Sequence, residues 1–286
     1  MRAEVIYRYV SFFDLYNLLE HGKLRISQAT SFDDKNEGFG FVLRQSEGKY
    51  LAALGPSMCF DGAKIVKTLT YISCWTIESN KIAMWLLYSK DSDGFRIRTT
   101  RTKLKSVLAD YRKSYAFSPE RIQDFSPIEG DNVFDVTYEN FRETKEELET
   151  RNRDIEKELD SLPDTLSKVK RIRLFSKVAR ATLTTLKFTD NPWFYKDKAY
   201  DHENEVRAVI EFEAANEEGN SLAGDLTEFT SRFPSSINVD IPDDFIEDIC
   251  IDERCLPFKK AVFKSFLLKY GYALSESRAF SSLFDR

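Results

Sequence analysis

The sequence predicts an α+β fold: a mixed, mainly antiparallel sheet core with flanking helices and a charged helical insertion. Three observations lead there. Strand-like and helix-like segments follow one another without strict β-α-β alternation. ENEVRAVIEFE, near residue 205, alternates apolar and polar positions in the manner of a half-buried strand. Residues 139–188 then carry a charge-rich helical pattern unlike the rest of the chain. The 286 residues, 42% hydrophobic and 14% aromatic, suit one domain spanning 1–286 with 139–188 inserted in it.

EVIYRYV, residues 4–10, reads as an opening strand. Ser11 caps a helix whose Leu15, Leu18 and Leu19 share a face, and Gly22 ends it. KLRIS reads as a second strand and SFDDKNEGFG as a polar loop. TLTYISCWT, from Thr68 to Thr76, is a strong strand, followed by a helix capped at Ser79 and the strand GFRIRT. The helix TKLKSVLADYRK and the strand DNVFDVTY come next. Pro163 divides the insertion into two antiparallel helices, or breaks one long helix. FYKDKAY and ENEVRAVIEFE are strands. The second places Val206, Ala208, Ile210 and Phe212 on one face and Glu205, Arg207, Val209 and Glu211 on the other. INVDI, FIEDICI and an amphipathic helix ending at Gly271 complete the reading.

A net charge of −5 and a pI near 5.4 argue against a protein that coats nucleic acid. The basic cluster Lys168, Lys170, Arg171, Arg173, Lys177 and Arg180 reads as a solvated helix face. The start lacks a leader pattern, and no apolar run nears the ~20 residues that span a bilayer. A cytoplasmic protein without membrane partners is expected. Four cysteines and two histidines offer no zinc spacing, so no metal is expected. G-x-G-x-x-G and G-x-x-x-x-G-K-[ST] are both missing from the sequence.

Four places carry chemistry. Arg8, between Tyr7 and Tyr9, suits a phosphate or a ring; the bland alternative is a solvated arginine on an edge strand. Ser73-Cys74-Trp75-Thr76 ends a buried strand with two hydroxyls and an indole, or is simply a strand end with a core tryptophan. Met84, Trp85, Leu87 and Tyr88 read chiefly as core. Glu203, Glu205 and Arg207 share one strand face, either as a functional carboxylate pair or as a salt bridge.

Taken together, YRYVS, SFDDKNEG, ISCWTIESNKIAMWLLYSKDSDGFRI and HENEVRAVI resemble the bacterial family called domain of unknown function 2971, over most of the chain outside the insertion. Lys35 stands where that family more often has proline, and Trp75-Thr76 where it more often has Phe-Ser. A second resemblance is to ADP-ribosyltransferases of the arginine–serine–glutamate plan, and HGKLRIS resembles the start of DarT-type toxins, which modify DNA. That likeness implies a transferase-like core taking NAD+ as substrate, in a toxin or phage-defence effector acting on a protein or nucleic acid acceptor. It implies Arg8 on a phosphate or ribose, Ser73 or else Thr76 at the nicotinamide strand, Glu205 as catalytic carboxylate and Glu203 on the substrate side. Tyr9 and Trp75 would stack on nicotinamide. The chemistry is coherent, because a fixed carboxylate stabilises oxocarbenium character at the ribose.

A non-catalytic module that binds a protein or nucleotide is the main alternative, with the insertion as its partner surface. A metal-dependent nuclease using Asp33, Asp34 and Glu37 is a third. The transferase reading expects Arg8, Ser73 and Glu205 to line one pocket, and fails if the Arg8 and Glu205 side chains point to opposite sides of the sheet.

Overall fold

The computed structural model describes residues 4–34, 36–39, 60–118, 121–122, 124–130, 132–160, 192–214 and 230–280. Cys59, Pro163, Lys35 and the basic cluster 168–180 lie outside them. The described chain forms two compact units. The first comprises residues 1–31, 68–135 and 202–286, and the second residues 32–67 and 136–201.

The first unit is built on a ten-stranded sheet. β1 is Val5–Val10 and α1 is Phe12–His21. The Ser11 hydroxyl accepts from the Asp14 amide at 3.1 Å, and Gly22 turns the chain out at φ 59°, a left-handed conformation that glycine adopts without strain. β2 is Lys23–Gln28 and β3 Thr70–Thr76, while α2, Phe60–Thr68, belongs to the second unit except for its last residue. α3, Ile82–Tyr88, starts at Lys81 without a side-chain cap, so Ser79 is not its cap. β4 is Phe95–Thr100, and α4, Arg101–Ser114, is capped by Thr100. β5 is Phe125–Pro127, a strand the sequence pattern did not signal.

The predicted strand DNVFDVTY is interrupted. Its first part, β6 (Val133–Asp135), pairs with β9 (Glu205–Ala214) in the large sheet. Its second part, β7 (Thr137–Glu139), runs parallel to β8 (Tyr195–Asp197) in a separate two-stranded sheet of the second unit. Only YKD of the predicted strand FYKDKAY is β; Lys198–Glu203 form a 3₁₀ helix instead. α5, Phe141–Asp160, is the described part of the insertion. Its Phe141 stacks on Phe39 at 3.7 Å, so the second unit's small core joins two segments distant in sequence. β10 (Ser236–Asp240), β11 (Asp248–Ile251), α6 (Pro257–Leu268) and β12 (Leu274–Glu276) end the described chain.

The large sheet is antiparallel throughout except where β11 meets β12. β3 lies at its centre. One edge pairs with β9 over its full length. The other edge is shared: Tyr71 and Ile72 pair with β2, while Thr76 pairs with Tyr7 of β1. The hydrophobic core lies on the face bearing Ile6 and Val10, Tyr71 and Trp75, and Val206, Ala208 and Ile210. Burial of this apolar surface is the main driving force for folding here. The alternation read along β9 is the one found, with Val206 through Phe212 inside.

The candidate site lies on the opposite sheet face

Register decides where the predicted site residues point. Residues directly opposite in a β-ladder share a face, and neighbours along a strand alternate. Tyr7 opposes Thr76, and Thr76 opposes Glu205. Tyr7, Tyr9, Cys74, Thr76, Glu205 and Arg207 therefore share one face. Arg8, Ser73 and Trp75 belong to the other, the core face. The expected convergence of the three residues is not met: Arg8 Nη1 donates to Ser73 Oγ at 3.0 Å, but Glu205 projects from the opposite side, so the arginine–serine–glutamate arrangement fails its test. Arg8 also donates to the Arg25 carbonyl at 3.2 Å and lies 5.9 Å from the Trp75 ring, while Trp75 Nε1 donates to Ser73 Oγ at 3.0 Å. This cluster ties β1, β2 and β3 together where they diverge.

A cleft opens on the second face. Its wall comes from β1 at Tyr7 to Tyr9, β3 at Cys74 to Thr76, Met84 and Tyr88 of α3, and the carboxylates Glu203 and Glu205. Arg8 and Trp75 border it, but strand alternation turns their side chains away. It holds about 310 Å³ of empty space, open solvent at the mouth included.

Both carboxylates are buried, Glu203 at 4% exposure and Glu205 at 3%. Glu203 ends the 3₁₀ helix rather than lying on β9, and Asn204, at φ 42°, makes the turn into the strand. The Thr76 hydroxyl donates to the Glu203 carbonyl at 2.6 Å, and Tyr88 donates to Glu203 Oε1 at 3.0 Å. Lys81 Nζ donates to the His202 carbonyl at 3.1 Å. Glu205 faces Arg207 in a two-point ion pair, with Nε to Oε1 at 2.8 Å and Nη2 to Oε2 at 3.3 Å. Such a fork–fork pair is well matched in geometry. Arg207 is itself fully buried.

Tyr88 is the residue whose role the sequence pattern understated. Met84 and Trp85 are core, but Leu86, Leu87 and Tyr88 are about half exposed. Tyr88 sits at the cleft because α3 presents it there; its three-residue spacing from Trp85 was the available signal. In the second unit, Asp34 caps a turn, accepting from the Asn36 amide through Oδ1 at 2.9 Å and from the Glu37 amide through its carbonyl at 3.0 Å. Among the described residues no group of three or more His, Cys, Asp or Glu is placed to hold a metal ion. No helix among them is long and apolar enough to cross a membrane.

Fold and cleft define an α+β protein with an aromatic, mostly apolar cleft on one sheet face, edged by two carboxylates. Residues 84–208 match the family described as "Protein of unknown function (DUF2971)", which supports the likeness read from the sequence. The match includes α3, β4, the insertion and Glu203 to Arg207. It leaves out YRYVS, SFDDKNEG and ISCWT, which the sequence reading had included. No protein of curated function and no solved structure matches the chain.

Proposed function

We propose that the cleft binds a planar organic cation, and that the nicotinamide end of NAD+ is the ligand it serves, in an ADP-ribosyl transfer that rests on the cleft carboxylates and not on the arginine–serine–glutamate arrangement. The observation that carries this reading is the meeting of two buried carboxylates, Glu203 and Glu205, with tyrosine rings in one cleft. Aromatic faces and carboxylates both favour a flat positive charge. When the nicotinamide–ribose bond breaks, positive charge moves onto the ribose, where a fixed carboxylate stabilises it. Glu205 is assigned that role and Glu203 the side from which an acceptor approaches. Arg8, Ser73 and Trp75 are not assigned to the ligand; they hold the strands from behind. Thr76 fixes Glu203 through its main chain.

A specific observation favours a non-catalytic binding module as the second reading. Arg207 already neutralises Glu205, and a neutralised carboxylate is a weaker source of negative field. The test separates the two. Purified protein is titrated with NAD+ by calorimetry and assayed for nicotinamide release, alone and with the Glu205→Gln variant, whose melting temperature is read in parallel. The transferase reading expects wild type to bind and to release nicotinamide, with release about tenfold or more slower in the variant, since one lost electrostatic contact is worth upward of 1.4 kcal/mol. Binding without release, in wild type and variant alike, supports the module. No binding of NAD+ overturns the assignment of ligand.

A further inference from the structure

Inside the cleft the Tyr9 hydroxyl is buried and meets no hydrogen-bond partner among the described residues. Folded proteins leave few buried polar atoms unpaired, and those that remain point to a missing ligand, water or ion. Burial holds this phenol well above its ordinary range, so at neutral pH it is a donor in want of an acceptor. Its ring is fixed, edge-on to Trp85 at 4.8 Å and tilted against Tyr88 at 6.4 Å. Arg96 stands directly opposite Tyr9 on β4, on the same face. The Arg96 guanidinium lies 4.9 Å from the Tyr7 ring, its Nη1 donates to the Ser79 carbonyl, and its Nη2 is ion-paired with Asp248 at 3.6 Å. Its Nε is likewise buried without an acceptor. Two donors without acceptors thus occupy facing positions on adjacent strands, beside a cleft whose other end is acidic.

We propose that Tyr9, backed by Arg96, is the specificity-determining residue of the cleft, its hydroxyl donating to a carbonyl oxygen on the planar cationic ligand. The inference rests on the reading of the cleft as a cation site. A neutral carbonyl fits better than a phosphate, which the nearby carboxylates would repel. A pyridinium carboxamide supplies both features: the ring cation faces Glu203 and Glu205, and the amide oxygen takes the Tyr9 proton. Tyr88, 45% exposed and hydrogen-bonded to Glu203, flanks the entrance to this position.

Two small probes separate the claims: 1-methylnicotinamide, a planar cation with a carboxamide, and 1-methylpyridinium, the same cation without it. Calorimetry on the full chain should show wild type binding the first about tenfold more tightly than the second, the worth of roughly one good hydrogen bond. Tyr9→Phe should bind both alike, at the wild-type affinity for 1-methylpyridinium. The variant should melt no lower than wild type, because the hydroxyl it lacks has no protein partner to lose. Equal wild-type affinity for the two probes overturns the role of Tyr9 and leaves the cation site standing. Discrimination that survives in Tyr9→Phe overturns it as well. Binding of neither probe overturns the cation site together with the inference.

Discussion

Arg207 is a fully buried cation, and the structure sets Glu205 against it. The sequence reading allowed for a salt bridge between these residues, yet the setting matters more than the pairing. An exposed pair on a strand is worth about 1 kcal/mol or less. Breaking a buried pair by removing one partner leaves a charge in a poorly solvated place and costs roughly 3–5 kcal/mol. Glu205→Gln should therefore lower the unfolding free energy by about 3 kcal/mol, read from urea midpoints at constant m-value. Replacing both residues, Glu205→Leu with Arg207→Met, should recover part of that loss, because the two charges of the pair are removed together. A Glu205→Gln protein as stable as wild type would show that Arg207 is compensated elsewhere. The same arithmetic is why the catalytic test on Glu205→Gln reads melting temperature in parallel with nicotinamide release.

At the scale of elements, the turn after β11 shows how one carboxylate can tie a helix to a strand. Asp252 is buried, its amide donates to the Gly94 carbonyl, and its carboxylate accepts from Arg254 Nη2 at 2.6 Å. Arg254 also reaches the Trp85 carbonyl of α3 at 3.4 Å. Burial by itself would raise the Asp252 pKa, but hydrogen bonds from Arg254 and Ser89 outweigh it and hold the group below its ordinary value. A depressed carboxylate stabilises the fold fully above its unfolded pKa, about 3.9, and loses that contribution as pH falls through the folded value. Asp252→Asn should thus lower the melting temperature at pH 7 and narrow its gap to wild type below about pH 4. A gap independent of pH would remove the charge from the explanation.

Much of this element level was legible. The Ser11 cap, the Gly22 turn and the alternation of β9 follow from local chemistry, and each is present. The side on which Arg8 stands relative to Glu205 was not legible. Each strand's own alternation can be read from its residues. How two strands' alternations align depends on which residues pair across the ladder, and a shift of one residue exchanges the faces. The Tyr7–Thr76 and Thr76–Glu205 pairings are made by chain segments far apart, and no local pattern in β1 announces them. The break at Val136 was hidden for a related reason: VFD and TYE look like one strand, but they pair with different partners.

At the scale of the whole molecule, the second unit interrupts the first twice, between residues 31 and 68 and between 135 and 202. Both interruptions begin and end at places the first unit holds together. Gln28 opposes Tyr71 across the β2–β3 ladder, and its side-chain amide donates to the Thr68 carbonyl at 2.8 Å. Asp135 opposes Val206 across the β6–β9 ladder. Short glycine-serine linkers can therefore replace residues 32–67 and 136–201, and loop-closure entropy changes by only about 0.6 kcal/mol per doubling of loop length. The ten-stranded sheet and the core on its inner face stay complete in such a chain, since the core cluster of the first unit includes no residue of the removed segments. The shortened protein should unfold in one cooperative thermal transition and retain the near-ultraviolet signal of buried Trp75 and Trp85. Removing 139–188 alone should fare worse. That cut takes away Phe141 and Leu148 and leaves Phe39 and Tyr195 without the rings and side chains that cover them, so the product should aggregate on heating. If the doubly shortened chain lacks a cooperative transition while the single deletion keeps one, the two units do not fold as the contact pattern divides them.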